Sequence, residues 1–346
     1  MYGHLYFGGS VKSYFEKKIM RVLQVIPGDP GSNSMIFARR QSLEIQLNIK
    51  YLSVFDLEKR SLKHILKSVN ELKRAIATQN ITLLHAQYGS STSLICGVVK
   101  LTSRGPIGRR LKLVTTFRGS DLNPHTSNSF FRNFAQKASS HFGALMSDHV
   151  ICVSNETRKR LWWRCQNISV MPTGCDTDLF HPIPQKEARK AISPLVSLPD
   201  GKPLVILNAG KTPDFKGEPI VQDALKLLKQ QYGIDTYLKV CRNDIPVDKM
   251  PTLLNAADVV VLASLYEGSP TILQEAMACE TPVVSTRAGD AEQRLCKVKG
   301  SFIAPKRSGQ SLCDALALAF KYQGLHNSRQ VALQECAQSV IVRKIL

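Results

Sequence analysis

The feature that most constrains the fold of this chain is a strand, a loop and a helix in immediate succession. Residues 258–264 are rich in β-branched aliphatic side chains, a pattern typical of a buried strand in a parallel sheet. Gly268 and Pro270 mark a tight loop, and residues 271–278 consist mostly of good helix formers. We expect Ser269 to cap this helix and Pro270 to be its first residue. The unit predicts an α/β fold in which parallel strands alternate with helices.

The same unit predicts an anion-binding site, because the first N–H groups of a helix lack intrahelical acceptors and the helix dipole favours negative charge there. Glu267 lies in the loop and Glu275 lies about one turn into the helix. Carboxylates so placed could hold the hydroxyls of a sugar or a ribose on either side of a bound phosphate. The expected phosphate contacts at the start of the helix are Gly268, Ser269, Pro270 and Thr271.

Two domains are expected, because 346 residues exceed what one ordinary hydrophobic core organises. An apolar strand at Met20–Ile26 leads into a loop rich in Gly and Pro at Pro27–Asn33 and a helix near Ser34–Asn48. A second such succession begins with a strand at Pro203–Ala209. The chain contains neither the G-x-G-x-x-G dinucleotide pattern nor the P-loop pattern, which disfavours nicotinamide enzymes and P-loop kinases.

Hydrophobic periodicity predicts several more elements between and after these units. The further strands are expected at Thr82–Ala86, Lys112–Phe117 and Ser147–Ser154. The further helices are expected at residues 57–76, Asn155–Trp163, 309–323 and 328–346.

Three segments resemble retaining glycosyltransferases of the GT-B fold, in particular glycosyltransferase family four. The sequence Tyr-Glu-Gly-Ser-Pro-Thr-Ile-Leu-Gln-Glu-Ala-Met-Ala-Cys-Glu-Thr-Pro-Val-Val-Ser at residues 266–285 resembles the E-x7-E region of that family nearly throughout. Residues 169–182 resemble the signature that ends the first domain, with Thr173 in place of Asn. Residues 210–217 resemble the basic segment that follows the first strand of the second domain. Weaker similarity extends over residues 20–346.

The resemblance implies two Rossmann-like α/β domains that face each other across a deep cleft, with a C-terminal helix that crosses back to the first domain. Residues 1–19 would be an N-terminal extension. The acceptor-binding domain would cover residues 20–182, the domain that binds the nucleotide sugar would cover residues 183–327, and the returning helix would cover residues 328–346.

The resemblance also implies roles for charged residues of the second domain. Lys211 and Lys216 match the two cations that hold the donor diphosphate, and the helix start at residues 269–271 would assist them. Glu275 would bind ribose hydroxyls. Glu267 would bind hydroxyls of the donor sugar or stabilise positive charge at its anomeric carbon. The two lysines and the helix start would stabilise the negative charge of the departing nucleoside diphosphate.

Residues that follow strands of the first domain complete the predicted site. The resemblance places the loop of Gly31 and Ser32 over the sugar phosphate, where their backbone N–H groups would donate hydrogen bonds. Arg118 stands where the family has His; it stays charged and cannot shuttle a proton, but it can donate hydrogen bonds to a phosphate or sugar oxygen. Asp121 could accept a hydrogen bond from an acceptor hydroxyl. His85 is equally consistent with a cleft residue and with an ordinary hydrogen-bonded histidine near a strand end.

The charge of the chain is positive and unevenly spread. The net charge is +19, and residues 1–180 carry 25 Lys and Arg against 11 Asp and Glu. This favours an acidic partner, and an anionic membrane surface is favoured over nucleic acid because no nucleic-acid-binding signature occurs. The helix predicted at residues 57–76 has a basic face that suits such a surface. An ordinary crossover helix with a solvated face is the alternative. Its basic residues are Lys59, Arg60, Lys63, His64, Lys67, Lys73 and Arg74.

The nine cysteines form no C-x-x-C pair, which indicates reduced thiols in a cytosolic protein. The apolar runs are too short to span a membrane, and residues 1–19 lack the pattern of a signal peptide. We therefore expect a cytoplasmic protein, with the inner face of the plasma membrane as the surface to which it would bind.

The resemblance to glycosyltransferase family four implies an enzyme that moves a sugar from a UDP- or GDP-sugar to a saccharide or lipid-linked acceptor with retention of configuration. The expected pathway is the synthesis of bacterial surface polysaccharide, such as capsule or lipopolysaccharide. Because no Asp-x-Asp motif stands at a strand end, neither a metal nor another cofactor is expected. The leaving diphosphate itself would assist the incoming hydroxyl.

Three alternatives remain at this point. A sugar-nucleotide epimerase of the same fold would need further acid and base groups in the cleft, which the sequence does not identify. A phosphorylase would need a much longer chain. A catalytically weak, basic protein that binds a membrane or nucleic acid is the third. The sequence leaves the donor sugar, the nucleobase and the acceptor open.

Overall fold

Parallel strands connected by helices run through both halves of the chain. Within the described residues, two separate parallel sheets form, one of six strands and one of five. The prediction of two Rossmann-like α/β domains in a GT-B arrangement is confirmed. The computed structural model describes residues 20–29, 35–57, 62–103, 105, 110–123, 130–162, 166–199, 201–210 and 212–345.

The strands are short, apolar and largely buried, as expected for sheets covered on both faces. The first sheet contains β1 (Val22–Pro27), β2 (Leu52–Leu57), β3 (Leu83–Ala86), β4 (Lys112–Phe117), β5 (His149–Cys152) and β6 (Ile168–Val170). The second contains β7 (Leu204–Asn208), β8 (Tyr237–Cys241), β9 (Val259–Leu262), β10 (Val283–Thr286) and β11 (Phe302–Ala304).

Helices follow nearly every strand and cover both sheets. In the first domain they are α1 (Ile36–Asn48), α2 (Leu62–Thr78), α3 (Ser90–Thr102), α4 (Phe130–Met146) and α5 (Asn155–Lys159). The second domain and its entry contain α6 (Gln185–Ile192), α7 (Pro213–Lys216), α8 (Glu218–Tyr232), α9 (Met250–Ala256), α10 (Thr271–Ala278), α11 (Ala291–Leu295) and α12 (Gly309–Lys321). The chain ends with α13 (Ser328–Glu335) and α14 (Gln338–Ile345).

The order of the strands determines where a ligand can bind. The first sheet runs β2-β1-β3-β4-β5-β6 and the second runs β11-β10-β9-β7-β8, with all pairs parallel. In each sheet the chain builds outward in one direction and then in the other, so the order switches between β1 and β3 and between β7 and β9. Open α/β sheets bind ligands beyond the carboxyl ends of the strands at such a switch.

The predicted elements agree with the observed ones where a single apolar run determines them. The strand predicted at Lys112–Phe117 is β4 without change, and the apolar run at 258–264 contains β9. The helix predicted at residues 57–76 begins too early, because Leu57 ends strand β2 and α2 begins at Leu62. The helix predicted at Asn155–Trp163 is also too long, since α5 ends at Lys159.

The predicted helix at residues 328–346 is two helices, α13 and α14, separated by Cys336 and Ala337. The break has a tertiary cause. The Cys175 N–H donates to the Cys336 carbonyl at 2.7 Å, and the Gln338 N–H donates to the Cys175 carbonyl at 2.8 Å. The main chain between the helices therefore pairs with the segment that joins the domains. Beyond this break, α14 packs against α1 of the first domain.

Arg329 of α13 holds three backbone carbonyls together. Its Nη1 donates to the Phe180 carbonyl at 2.9 Å and to the Ala278 carbonyl at 2.7 Å, and its Nη2 donates to the Thr177 carbonyl at 3.2 Å. Phe180 is almost completely buried in the adjoining core. A single half-buried cation thus ties the interdomain segment to the last turn of α10 and to α13.

The eight cysteines among the described residues are free thiols, and all but Cys296 are buried. Burial raises the pKa of the Cys96 thiol to about 12, so this group stays protonated at physiological pH. In the part of the chain that the structure describes, no helix has both the length and the apolarity that a membrane span requires.

We predict that Arg329→Ala destabilises the protein by roughly 2 kcal/mol or more, because three carbonyls lose a charged donor. Arg343→Ala is the matched control: Arg343 is exposed and its Nε donates only to Ser339 of its own helix, so its loss should change stability by less than about 0.5 kcal/mol. Urea denaturation followed by circular dichroism measures both. Equal midpoints for the two variants would contradict this role of Arg329.

Candidate active site

A cavity of about 210 Å³ lies where the carboxyl ends of the two sheets meet. This volume is below the range of about 300–1,000 Å³ that is usual for small-molecule sites. The first domain contributes Phe37, Arg118, Ser120 and Thr173 to its walls. The second contributes Asn208, Lys216, Glu267, Gly268, Ser269, Pro270, Thr271 and Ile272.

Lys216 and Glu267 form an ion pair on one wall of this cavity. The Lys216 Nζ lies 2.6 Å from the Glu267 Oε1, and both side chains are mostly buried. Lys216 ends the one-turn helix α7, and the next residue, Gly217, has φ +79°. A Cβ at Gly217 would lie 2.3 Å from the Ala263 carbonyl oxygen. Only glycine therefore fits there, and this close approach fixes Lys216 beside the loop that follows β9.

The start of α10 forms the adjacent wall, as the sequence predicts, but the capping prediction is wrong. The helix begins at Thr271, and Pro270 occupies the capping position without a side-chain cap. Ser269 does not cap the helix, because its hydroxyl donates to the Asp290 Oδ2 at 2.9 Å and accepts from the Gln274 Nε2 at 2.7 Å. The first N–H groups of α10 thus lack both an intrahelical acceptor and a side-chain cap, and they remain available to an anion.

The two domains touch directly at a pair of glycines. A Cβ at Gly119, which has φ +106°, would lie 2.7 Å from the Gly268 Cα, and a Cβ at Gly268 would lie 2.1 Å from the Arg118 carbonyl oxygen. The turn after β4 and the loop after β9 are therefore in van der Waals contact. This contact brings Arg118 of the first domain beside Glu267 of the second.

Arg118 lines the cavity and is held by neutral groups. Its Nη2 donates to the Gln41 Oε1 at 3.0 Å and also to the Gln87 Oε1, and the guanidinium lies 4.8 Å from the centre of the Phe37 ring. Burial lowers the pKa of Arg118 to about 10, and the charge of Asp121 opposes this shift, so the side chain is protonated at physiological pH. Its contact with a substrate stays a prediction.

The structure contradicts the predicted role of Asp121 in binding an acceptor hydroxyl. Its side chain is fully buried, and its carboxylate accepts hydrogen bonds from the backbone N–H groups of Gly89, Arg118 and Gly119 at 2.8–3.1 Å. Those bonds occupy both carboxylate oxygens. Asp121 therefore shapes the turn that carries Arg118 and cannot accept a hydrogen bond from an acceptor hydroxyl in this conformation.

His85 is a second correction. It does not line the cavity between the domains; it lines another cavity of about 310 Å³, whose walls come from the first domain and the end of α14. Its Nε2 lies 2.8 Å from the Thr116 hydroxyl and its Nδ1 lies 3.4 Å from the Gln24 Nε2. Burial, together with the charge of Arg118, lowers the pKa of His85 to about 3. It is the ordinary buried, neutral histidine that the sequence left as the alternative.

Glu275 faces the first domain from α10. Its carboxylate lies 3.8 Å from the Arg40 guanidinium of α1, and Arg40 in turn lies over the Phe180 ring at 5.6 Å. Burial raises the pKa of Glu275 to about 7, although the charge of Arg40 opposes this shift. Glu275 is not among the residues that line the 210 Å³ cavity, so its role toward a ribose stays a prediction.

Three predicted contacts, Lys211, Gly31 and Ser32, lie outside the described residues. The structure adds residues that the sequence did not identify. Asn208 is the last residue of the strand β7, and its place at a strand end was a usable signal. Gln41 and Gln87 orient Arg118, which lies 77 and 31 residues away from them. Gln87 follows β3 directly and so carries the same strand-end signal, whereas no sequence pattern marks Gln41.

Comparison with known sequences places both halves of the chain among glycosyltransferases. The sequence model of the family described as "Glycosyltransferase Family 4" matches residues 31–179. The model described as "Glycosyl transferases group 1" matches residues 188–321. The two matches together cover most of both domains and leave out β1, α13 and α14.

Two curated relatives come from bacteria. "Putative teichuronic acid biosynthesis glycosyltransferase TuaC" of Bacillus subtilis is 27% identical over 248 residues, which cover 68% of this chain and 60% of the relative. The UDP-Gal:alpha-D-GlcNAc-diphosphoundecaprenol alpha-1,3-galactosyltransferase of Escherichia coli is 32% identical over 193 residues, which cover 46% of this chain and 47% of the relative. The chain therefore spans about half to three fifths of the length of these relatives.

A solved structure supports the fold at full length. The sucrose-phosphate synthase of Thermosynechococcus elongatus superposes with a TM-score of 0.75 at 16% identity, covering 94% of this chain and 97% of that protein. At this identity the similarity concerns the fold alone.

We predict a pH dependence of stability from the raised pKa of Glu275. Between its ordinary pKa, near 4.5, and about 7, the folded protein keeps a proton on Glu275 that the unfolded chain has released. The contribution of Glu275 to the free energy of unfolding therefore decreases as the pH rises through this interval and does not change further above it. In Glu275→Gln this loss is absent, so the melting temperature of the variant relative to the wild type should increase between pH 5 and pH 8.

Glu187→Gln, which changes an exposed carboxylate of α6, is the control and should give a difference that does not vary with pH. Differential scanning fluorimetry across this pH range measures all three proteins. A melting temperature of Glu275→Gln that falls relative to the wild type as the pH rises would contradict the raised pKa.

Proposed function

Because the chain belongs to the glycosyltransferases, with Glycosyltransferase Family 4 matched in its first domain and Glycosyl transferases group 1 in its second, we propose that it transfers a sugar from a nucleotide-sugar donor to a saccharide or lipid-linked acceptor. The observation that carries the proposal is the convergence of Lys216, Glu267 and the start of α10 on one cavity between the domains. A cation, a carboxylate and unsatisfied N–H groups are the chemistry that a sugar diphosphate requires.

The donor diphosphate would lie against the N-terminus of α10 and the Lys216 ammonium, with Lys211 as the second cation. The N–H groups and the dipole of α10 favour negative charge, and they need no rearrangement when charge develops on the leaving group. The Lys216–Glu267 pair is held at 2.6 Å by the packing of Gly217, so the ammonium is already positioned. These groups would stabilise the departing nucleoside diphosphate.

Glu267 would serve the sugar. Its carboxylate borders the same cavity and could accept hydrogen bonds from donor hydroxyls or stabilise positive charge at the anomeric carbon. Transfer would then proceed on one face of the sugar, with the leaving diphosphate accepting the proton of the incoming hydroxyl, and the configuration would be retained. No metal is required for this proposal, since cationic side chains and N–H groups would balance the charge.

The proposed donors are UDP- or GDP-sugars, and the proposed context is bacterial surface polysaccharide. The E. coli relative is described as using UDP-Gal and a diphosphoundecaprenol-linked acceptor, and the B. subtilis relative as acting in teichuronic acid biosynthesis. A lipid-linked acceptor would bring the enzyme to a membrane. A membrane surface is therefore part of the proposal.

The membrane contact would involve the outer side of the helix layer formed by α2, α3 and α4. In this layer α3 packs against both α2 and α4. One side of α4 carries four apolar residues at helical spacing, each more than half exposed: Phe131, Phe134, Phe142 and Leu145. Next to α4, the exposed Trp162 lies 6.0 Å from the Lys137 Nζ. Aromatic and aliphatic groups beside cations, on a helix without Asp or Glu, suit an anionic lipid surface.

We predict that Lys216→Ala weakens the binding of UDP at least tenfold, equivalent to about 1.4 kcal/mol, since the diphosphate loses its positioned cation. Glu275→Ala should weaken the binding of UDP but leave the binding of inorganic pyrophosphate unchanged, because pyrophosphate has no ribose. Isothermal titration calorimetry with UDP, GDP and pyrophosphate measures these affinities.

Lys226→Ala on the exposed side of α8 is the matched control and should bind like the wild type. Release of UDP or GDP from a nucleotide sugar on addition of a saccharide acceptor tests the transfer itself. Wild-type affinity for UDP and pyrophosphate in Lys216→Ala would remove the diphosphate site from where we propose it.

The proposed membrane surface predicts that Phe134→Ser combined with Phe142→Ser lowers binding to vesicles of phosphatidylglycerol and phosphatidylcholine in equal parts. Leu325→Ser is the control, because Leu325 is an exposed apolar residue of the other domain. A triple variant of Lys67, Lys73 and Arg74 to Ser tests the basic side of α2 in the same sedimentation assay. Vesicle binding that depends on α2 alone would contradict the α4 surface. Binding that is as strong without phosphatidylglycerol would contradict the preference for an anionic membrane.

A further inference from the structure

Arg118 and Gln87 together present buried hydrogen-bond donors that nothing in the described part of the chain satisfies. Both side chains are more than nine-tenths buried, at 8% and 0% exposure. The Arg118 Nη1 and the Gln87 Nε2 have no hydrogen-bond partner among the residues that the structure describes. A buried donor without a partner costs about 1–3 kcal/mol, and more when it is charged, so a ligand that satisfies it gains correspondingly.

The orientation of the Gln87 amide follows from its partner. A guanidinium can only donate hydrogen bonds, so the group of Gln87 that faces the Arg118 Nη2 must be its carbonyl oxygen. The Nε2 is thereby left as a donor beside the same guanidinium. The pair offers one charged and one neutral donor, and a carboxylate has two oxygens that accept hydrogen bonds.

The charge of Arg118 is compensated only in part, by the nearby Asp121 carboxylate, whose charge raises the pKa of Arg118. Among the described residues, no Asp or Glu forms an ion pair with its guanidinium, since the Asp121 carboxylate is bound to backbone N–H groups. Its side-chain partners, Gln41 and Gln87, are neutral. A buried cation with neutral hydrogen-bond partners and without an ion pair attracts an anion, because the attraction between opposite charges is weakly screened there.

The anion cannot be assigned to the donor diphosphate on position. In the proposed function the diphosphate lies on the second domain, against Lys216 and the start of α10. Arg118 belongs to the first domain, and its turn touches the loop that carries Glu267, the residue that we propose to hold the sugar. The group that meets Arg118 would therefore be on the sugar.

We propose that Arg118 and Gln87 form a subsite for the carboxylate of the donor sugar, so that the donor is a nucleotide-linked uronic acid. This inference rests on the proposed function. The Arg118 Nη1 and the Gln87 Nε2 donate to the carboxylate. A neutral hexose would leave the guanidinium unbalanced and at least one donor unsatisfied. The subsite thus discriminates by charge at a single position of the sugar ring.

The test measures dissociation constants by calorimetry for matched pairs that differ only in the carboxylate: UDP-glucuronic acid and UDP-glucose, UDP-galacturonic acid and UDP-galactose, GDP-mannuronic acid and GDP-mannose. The wild type should bind at least one acid about tenfold more tightly than its neutral partner, the gain expected for about 1.4 kcal/mol. Arg118→Gln should remove this preference while its affinity for UDP or GDP stays that of the wild type. Arg118→Lys keeps the charge and should retain part of the preference.

Several outcomes would overturn the subsite. Equal or tighter binding of every neutral sugar by the wild type would do so, and so would equal losses of free nucleotide and acidic sugar nucleotide in Arg118→Gln, which would assign Arg118 to the diphosphate. Gln87→Met provides an independent variant and should also reduce the acid preference. If UDP and GDP bind as expected and depend on Lys216, only the subsite fails; if no nucleotide binds, the proposed function fails with it.

Discussion

The contact between Gly119 and Gly268 is the constraint on which the rest of the site depends. Two backbones approach closely enough that a single Cβ would separate them, and this brings the carboxyl ends of two independent sheets together. Each sheet by itself ends in an ordinary α/β loop region. Only when they meet does Arg118 lie beside the loop that carries Glu267, and only then does one cavity have walls from both domains. The cavity therefore exists only because the two domains are in contact.

The electrostatics of this interface favour an anion, although its walls are not simply basic. Lys216 and Glu267 balance each other, and Glu275 keeps a proton up to a pH of about 7 because it is buried. Arg118 remains as a protonated group with neutral partners, and the start of α10 adds the N–H groups that its geometry leaves unsatisfied. The N–H groups of α10 favour negative charge where the diphosphate would lie, and the charge of Arg118 favours an anionic group on the sugar. These interactions are the physical basis of the proposed glycosyl transfer.

Sequence patterns predicted the elements that local chemistry decides and failed where a distant residue decides. The apolar run that contains β9, the residues that begin α10 and the cation at Lys216 all follow from neighbouring residues. Ser269 was predicted as a cap, but its hydroxyl bonds to Asp290, 21 residues away. The last helix is broken by Cys175, more than 160 residues earlier. Asp121 and His85 have suitable side chains, yet their partners lie within the first domain; no pattern in the sequence shows which way such a side chain points.

The central claim is that the second domain captures a sugar diphosphate between Lys216 and the start of α10. A crystal structure of the complete chain with UDP or GDP tests it most directly. The account predicts diphosphate oxygens within hydrogen-bond distance of the Lys216 Nζ and of the first backbone N–H groups of α10, with the ribose toward Glu275. A nucleotide bound away from this cavity, with the Lys216–Glu267 pair unchanged and without contact to the diphosphate, would contradict the account.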